Sequence, residues 1–185
     1  MKKLIGSTGI RLAYAYLNSN PEKNLPKLMS WVDRFDRNGV FEDQRKGIRK
    51  IIEEQDNNWY KLMLSMWSDI DPGVRKAFFD NFILHENFIG WPIQEKNRQK
   101  YGCNIPWAIL MDPTSACNLK CTGCWATEYG NKMSMTYETL DGIIRQGKKL
   151  GVYFYIYSGG EPLVRKRDIL RLCEKHGDCQ FLAFT

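Results

Sequence analysis

Three apolar runs, Ile105 to Met111, Val152 to Tyr157 and Gln180 to Phe184, are separated by two stretches whose hydrophobic residues recur at helical spacing. No other feature constrains the fold as strongly. Thr136 opens the first helical stretch as an N-cap, Leu140, Ile143, Ile144 and Leu150 share one face, and Gly151 supplies the left-handed turn that ends it. The second runs from Asp168 to His176 with the stripe Ile169, Leu172, Cys173 and stops at Gly177. Strands that alternate with helices pair in parallel through right-handed crossovers, which puts the helices outside the sheet. Loops leaving the carboxyl ends of such strands gather on one rim.

The first hundred residues follow another rule. Leu28, Trp31, Val32 and Phe35 repeat at i, i+3, i+4, i+7, and Asn38-Gly39 ends that helix. Ile48, Ile51 and Ile52 continue the pattern. Asp56-Asn57-Asn58 breaks and recaps it before Trp59, Leu62, Met63 and Met66. Asp71-Pro72-Gly73 opens a helix with the stripe Val74, Phe78, Phe82 and Ile89, which Gly90-Trp91-Pro92 is expected to stop. The methionines and tryptophans around Met63, Met66 and Trp67 read as core filling rather than a substrate or lipid groove. His85, beside Glu86, reads as a surface or capping residue. The expected organisation is α/β, with an all-helical domain over 1–103 and the first β/α units over 104–185.

Between the first strand and the first crossover helix lies Cys117-Asn118-Leu119-Lys120-Cys121-Thr122-Gly123-Cys124. Three thiols so close together select soft or borderline metals, zinc or iron-sulfur. Structural zinc sites close four positions, commonly with paired Cys-x2-Cys knuckles from two places in the chain. Here a three-residue gap precedes a two-residue gap and no fourth ligand lies nearby. An iron-sulfur cube held by only three thiolates would keep one iron open. Directly after the second strand comes Ser158-Gly159-Gly160-Glu161-Pro162.

Cys-x3-Cys-x2-Cys followed at this distance by Gly-Gly-Glu-Pro resembles the radical S-adenosylmethionine (SAM) enzymes. The resemblance implies a partial (β/α)6 TIM-like barrel of which this chain carries the front portion, through the third strand. It implies a 4Fe-4S cluster on Cys117, Cys121 and Cys124, with SAM on the open iron, reductive cleavage of SAM, and radical chemistry on a substrate that the sequence does not identify. The backbone of Gly159 and Gly160 with Glu161 would hold the methionine ammonium, and Pro162 would fix the turn. Where the family often has an aromatic residue next to the adenine, this chain has Gly123. Trp125 stands one position after Cys124. An electron donor such as flavodoxin or ferredoxin is implied as partner, and a reducing, cytoplasmic setting as location. Lys120 reads as solvent-directed, Glu128 and Tyr129 receive no role, and no general acid or base can be named.

Two other readings stay open. In one, a further ligand such as Cys103 or Cys179 closes a structural zinc site in an interaction module. In the other, the chain is an inert relative that keeps the cluster loop without turnover. The composition, 43% hydrophobic and 26% charged, is that of a globular protein. The net charge of +6 is spread over Arg45-Lys46, Arg49-Lys50 and Arg165-Lys166-Arg167, which read as solvated helix faces and not as a nucleic-acid site. Six cysteines, three in one loop and the others scattered at Cys103, Cys173 and Cys179, do not form a secreted disulfide framework. Arg11 interrupts the apolar start, so no signal peptide is expected, and no run reaches the length of a membrane span.

Overall fold

The computed structural model of the chain describes residues 2–35, 42–124 and 130–185, and the side chains of all of these except residues 2–7, 32–35 and 44. The helix end expected at Asn38-Gly39 and the side chains of Val32 and Phe35 lie outside that description. The chain divides into two compact units, Met1–Ala77 and Phe78–Thr185.

The first unit is helical: α1 (Lys2–Ser19), α2 (Pro21–Phe35), α3 (Glu42–Glu53), α4 (Asn58–Ser68) and the start of α5 (Pro72–Phe78). The expected caps are in place. Asn57 accepts from the Trp59 N–H at 2.8 Å, and Asp71 Oδ1 accepts from Gly73 and Val74 at 2.7 and 3.2 Å. Each cap satisfies amides that the first helical turn leaves without partners. Leu17, Leu25, Ile52 and Tyr60 form the core, and Leu28, Met63 and Trp67 pack against it. Met66 instead joins Ile48, Trp59, Leu62 and Ile70 along an open apolar groove. Five stripe positions do not go inside: Trp31, Ile48, Trp59, Leu62 and Val74 are 39–65% exposed. The buried Arg75 was not anticipated. Its Nη1 donates to the carbonyls of Met66, Trp67 and Ile70 at 2.9, 3.3 and 3.2 Å, and so finishes the carboxyl end of α4.

The second unit holds a three-stranded parallel sheet in the order β1 (Ala108–Met111), β2 (Phe154–Tyr157), β3 (Gln180–Ala183). Helices α7 (Tyr137–Leu150) and α8 (Lys166–Lys175) pack on one face. Leu140, Ile144, Ile169 and Leu172 meet Met111, Tyr155 and Tyr157 there. Alternation sends Leu110, Ile156 and Leu182, which share one register row, to the other face. The architecture is thus α/β, helix-rich with a small parallel sheet. Thr136 and Gly151 cap α7 as expected, Gly151 at φ 97°.

The chain does not break at Gly90-Trp91-Pro92. A π-helical segment, Phe79–Gly90, leads into α6 (Trp91–Tyr101), and Gly90 and Trp91 both keep right-handed helical dihedrals. The Trp91 amide reaches back to the Glu86 carbonyl, and a π turn spaced this way tolerates Pro92, which has no N–H to place. Gly90 is there for contact: a Cβ on it would lie 2.4 Å from the Gly151 carbonyl. Residues 79–101 therefore pack with the sheet, and the units divide at 77/78 and not at the change of pattern near 103. Glu86 and Gln94 are fully buried and carry this packing. Glu86 accepts from the Tyr153 amide at 2.5 Å and from Gln94 Nε2 at 2.8 Å, while Gln94 also reaches the Gly151 carbonyl at 2.9 Å. Asn81 donates to the Cys179 carbonyl at 2.9 Å. Phe82, Trp107 and Phe154 close the same end edge to face, with centroids 5.3–5.7 Å apart.

Candidate functional site

Both motifs lie where chain leaves the carboxyl ends of β1 and β2, and backbone hydrogen bonds weld them together. Ser158 N donates to Met111 O at 2.9 Å, Gly160 N to Thr114 O at 3.0 Å and Glu161 N to Ala116 O at 2.9 Å. The pairing of β1 with β2 thus continues past the strands into the segment that leads to Cys117. This fit requires glycine at two successive positions. A Cβ on Gly159, which sits at φ 100°, would fall 2.8 Å from Thr114 O, and one on Gly160 would fall 2.3 Å from Ala116 O.

The base of the cysteine loop is pinched shut. Thr114 bridges Ser134 in antiparallel fashion, Ser115 N donates to Met133 O at 2.8 Å, and Met135 N donates to Pro113 O at 3.0 Å. The buried Thr114 hydroxyl accepts from Ser134 Oγ at 2.8 Å. Arg165 locks the arrangement from the other motif. Its Nη1 donates to the carbonyls of Met135 and Pro113 at 2.7 and 3.3 Å, and Asp168 holds its other face at 2.5 Å. Arg165 was expected on a solvated helix face; the structure makes it the tie between the glycine turn and the loop base. The signal available in sequence was its place four residues after Glu161, with Asp168 three residues on.

Within the loop, Cys117 Sγ accepts from the Leu119 amide at 3.4 Å, and Cys124 N turns back on Cys121 O at 3.3 Å. Gly123 makes the turn at φ 73°. Cys121 is exposed, Cys117 and Cys124 are half-buried, and all three thiols are free. Among the described residues, no three or more His, Cys, Asp or Glu are gathered closely enough to hold a metal ion. The donor chemistry nonetheless suits an iron-sulfur cluster: three soft donors on one short loop, none spent on a disulfide and one already receiving an N–H···S bond of the kind that tunes cluster sulfur. Trp125, Glu128 and Tyr129 lie outside the described residues.

Glu161 is 6% exposed. Its Oε1 caps the 3-10 turn Pro162–Arg165 by accepting from Leu163 N at 2.8 Å and also receives the Thr185 hydroxyl at 2.8 Å. Pro162, buried, occupies the first position of that turn, where no N–H is needed. Cys103 and Cys179 do not join the site. Cys103 precedes β1 and Cys179 precedes β3, so both belong to the opposite rim; Cys179 is buried, which pushes its thiol up to about 12. Cys173 is half-buried beside the core, and burial raises its thiol as well. His85 is partly buried and stacks on Tyr153, centroids 5.9 Å apart, also at the amino end.

Residues 111–181 match the model of the radical SAM superfamily. Over 86 residues the chain is 35% identical to an uncharacterised protein of Archaeoglobus fulgidus, which covers 44% of this chain and 20% of that protein. Over 95 residues it is 28% identical to a 7-carboxy-7-deazaguanine synthase of Rhodopirellula baltica, covering 51% of this chain and 34% of the relative. The chain thus spans between a fifth and about a third of these curated relatives. No solved structure matches it at comparable significance.

Proposed function

Because residues 111–181 belong to the radical SAM superfamily, we propose that the carboxyl rim of this sheet binds a 4Fe-4S cluster through Cys117, Cys121 and Cys124 and presents SAM to it for reductive cleavage. The observation that carries the reading is the welding of the glycine turn to the cysteine loop through Gly160 N–Thr114 O and Glu161 N–Ala116 O. Two segments some forty residues apart in sequence are thereby held as one surface, which is what a cofactor bridging a cluster and a second binding element requires.

When bound, such a cluster supplies the electron that breaks the sulfonium carbon–sulfur bond. The chain's part is positioning. Gly159 and Gly160 let the turn pack against the backbone of Thr114, Ser115 and Ala116, which keeps the two motifs in register. Glu161 and Pro162 set the direction in which the chain leaves it, and Glu161 stands with Gly159 and Gly160 at the methionine end. Gly123 and Trp125 are assigned to the adenine side. In this reading the sheet is the front of a partial TIM-like barrel preceded by a helical N-terminal part, and the electron donor is a flavodoxin or ferredoxin in the cytoplasm. Among the described residues no helix is long and apolar enough to cross a membrane. The zinc alternative finds no support, since its candidate fourth ligands, Cys103 and Cys179, belong to the far rim.

The test is anaerobic reconstitution with iron and sulfide, chemical reduction, and mass-spectrometric detection of 5′-deoxyadenosine from added SAM. The chain should release the nucleoside and the Cys121→Ala variant should not. A chain that holds iron and sulfide yet cleaves no SAM would instead be an inert relative.

A further inference from the structure

The surface around the cysteine loop is rich in free cations and short of acid. Segments 112–124, 130–136 and 158–168 meet at the carboxyl rim and contain three carboxylates. None is exposed: Glu161 is buried, Asp112 has one oxygen sealed from solvent, and Asp168 is taken by Arg165. Lys120, Lys132, Lys166 and Arg167 are exposed, and none of them has an ion-pair partner among the described residues. Apolar side chains on the same segments also face water, since Leu119, Met133, Leu163 and Val164 are 42–54% exposed. The Ser115 amide donates to Met133 O, and the Glu161 amide, two residues before Leu163, donates to Ala116 O. Both flanks therefore start within two residues of Cys117.

Reductive cleavage of SAM consumes an electron that must reach the cluster from outside it. Cys121 is exposed, so the loop is open to a protein docked over it. Transient redox complexes use small interfaces steered by opposite charge. We propose that this face docks an acidic electron-transfer protein, whose carboxylates meet Lys132 on one flank of the loop and Lys166 and Arg167 on the other. One electron passes from the donor's reduced centre to the cluster; the donor is oxidised by one electron, and no proton or group moves with it. This rests on the reading of the loop as a cluster site and adds the surface by which the electron arrives. The exposed apolar side chains here are aliphatic, which gives nucleic-acid bases no ring to stack on and favours a protein partner.

The experiment measures equilibrium binding of an acidic flavodoxin to the anaerobically reconstituted chain, and the rate at which the reduced flavodoxin reduces the cluster. Two charge-reversed pairs are compared with the parent: Lys132→Glu with Arg167→Glu at the rim, and Lys96→Glu with Lys100→Glu at the amino end, four exposed positions with the same change in net charge. At low salt the rim pair should weaken binding and slow reduction by about tenfold or more, while the amino-end pair stays within about twofold of the parent. The gap should close at about 0.5 M salt. With excess dithionite all three chains should give the same reduced-cluster signal by electron paramagnetic resonance. Equal loss in both pairs would make net charge alone responsible, and no loss in the rim pair would place the donor elsewhere; either overturns the proposal. A rim pair that holds no cluster would assign these side chains to shaping the loop and overturn it too. Single-stranded RNA is titrated in parallel, and RNA bound more tightly than flavodoxin, and lost in the rim pair alone, would give the face to nucleic acid instead. If the parent holds a cluster that dithionite reduces but binds no flavodoxin, this proposal fails alone. If the parent takes up no iron and sulfide, the cluster reading fails and takes this proposal with it.

Discussion

The two ends of the parallel sheet are built on opposite plans. At the amino end, side chains do the joining: Glu86 and Gln94 take up amide and carbonyl groups around Gly151 and Tyr153, Asn81 reaches Cys179, and Phe82, Trp107 and Phe154 seal the surface. At the carboxyl end, backbone hydrogen bonds join the two motifs, Arg165 ties them to the loop base, and the three loop thiols stay exposed or half-buried. The backbone weld between the motifs leaves the three loop thiols out of any disulfide. This is the division of labour between stability and activity that parallel α/β folds allow.

The largest effect should come from breaking the amino end. Glu86→Ala leaves the Tyr153 amide and Gln94 without their acceptor, and should cost roughly 2–4 kcal/mol in denaturant unfolding. Burial raises the Glu86 carboxyl above its ordinary value, so the folded chain holds that proton more tightly than the unfolded one. Its contribution is then full below the unfolded carboxylate range and shrinks as pH rises through the folded value. Glu86→Gln should abolish that part of the pH dependence, which a stability titration would read.

Gly90→Ala should cost about 1–3 kcal/mol, because the added methyl meets the Gly151 carbonyl and both sides of that contact are backbone. At the other rim, Arg165→Ala removes the tie to Met135 and Pro113. About 1–2 kcal/mol of stability should go, along with the alignment of the two motifs, so hydrogen exchange at the Gly160 and Glu161 amides should quicken more than at Tyr155. Equal quickening at all three would mean that the rim does not open independently of the sheet.

Asp141 lies on the helical layer and gives a smaller effect. Its carboxylate is held well below the usual range, first by Lys175 at 2.8 Å, and also by His176 at 2.8 Å and Arg145 at 2.9 Å. A depressed carboxylate stabilises the fold above its unfolded value and loses that contribution as pH falls toward the folded one. Asp141→Asn should therefore cost on the order of 1 kcal/mol at neutral pH, since Lys175 and Arg145 are half in solvent, and the gap from the parent should narrow in acid.

Much of the sheet was legible because strand and helix periods alternate cleanly after residue 104, and because Thr136 and Gly151 are unambiguous caps. The strand starts were less so. Val152 and Tyr153 continue the apolar run, yet the Tyr153 amide belongs to Glu86, and the Ile105 carbonyl is taken by Arg98, so β1 and β2 begin later than hydrophobicity suggests. Gly90-Trp91-Pro92 spells a stop in local terms, and only a contact with Gly151, some sixty residues away, reveals Gly90 as a packing position. Motifs made the cysteines and the glycine turn visible. Arg165 was hidden because its role depends on which carbonyls the fold brings to it, and that is not written into local spacing.

The most direct test of the account is the metal content of the anaerobically reconstituted chain beside Cys121→Ala and Cys103→Ser, one substitution on each rim. The account predicts about four iron and matching sulfide in the parent and in Cys103→Ser, and loss of the cluster in Cys121→Ala with the fold intact. Stoichiometric zinc in place of iron, or a metal lost with Cys103 as readily as with Cys121, would contradict it.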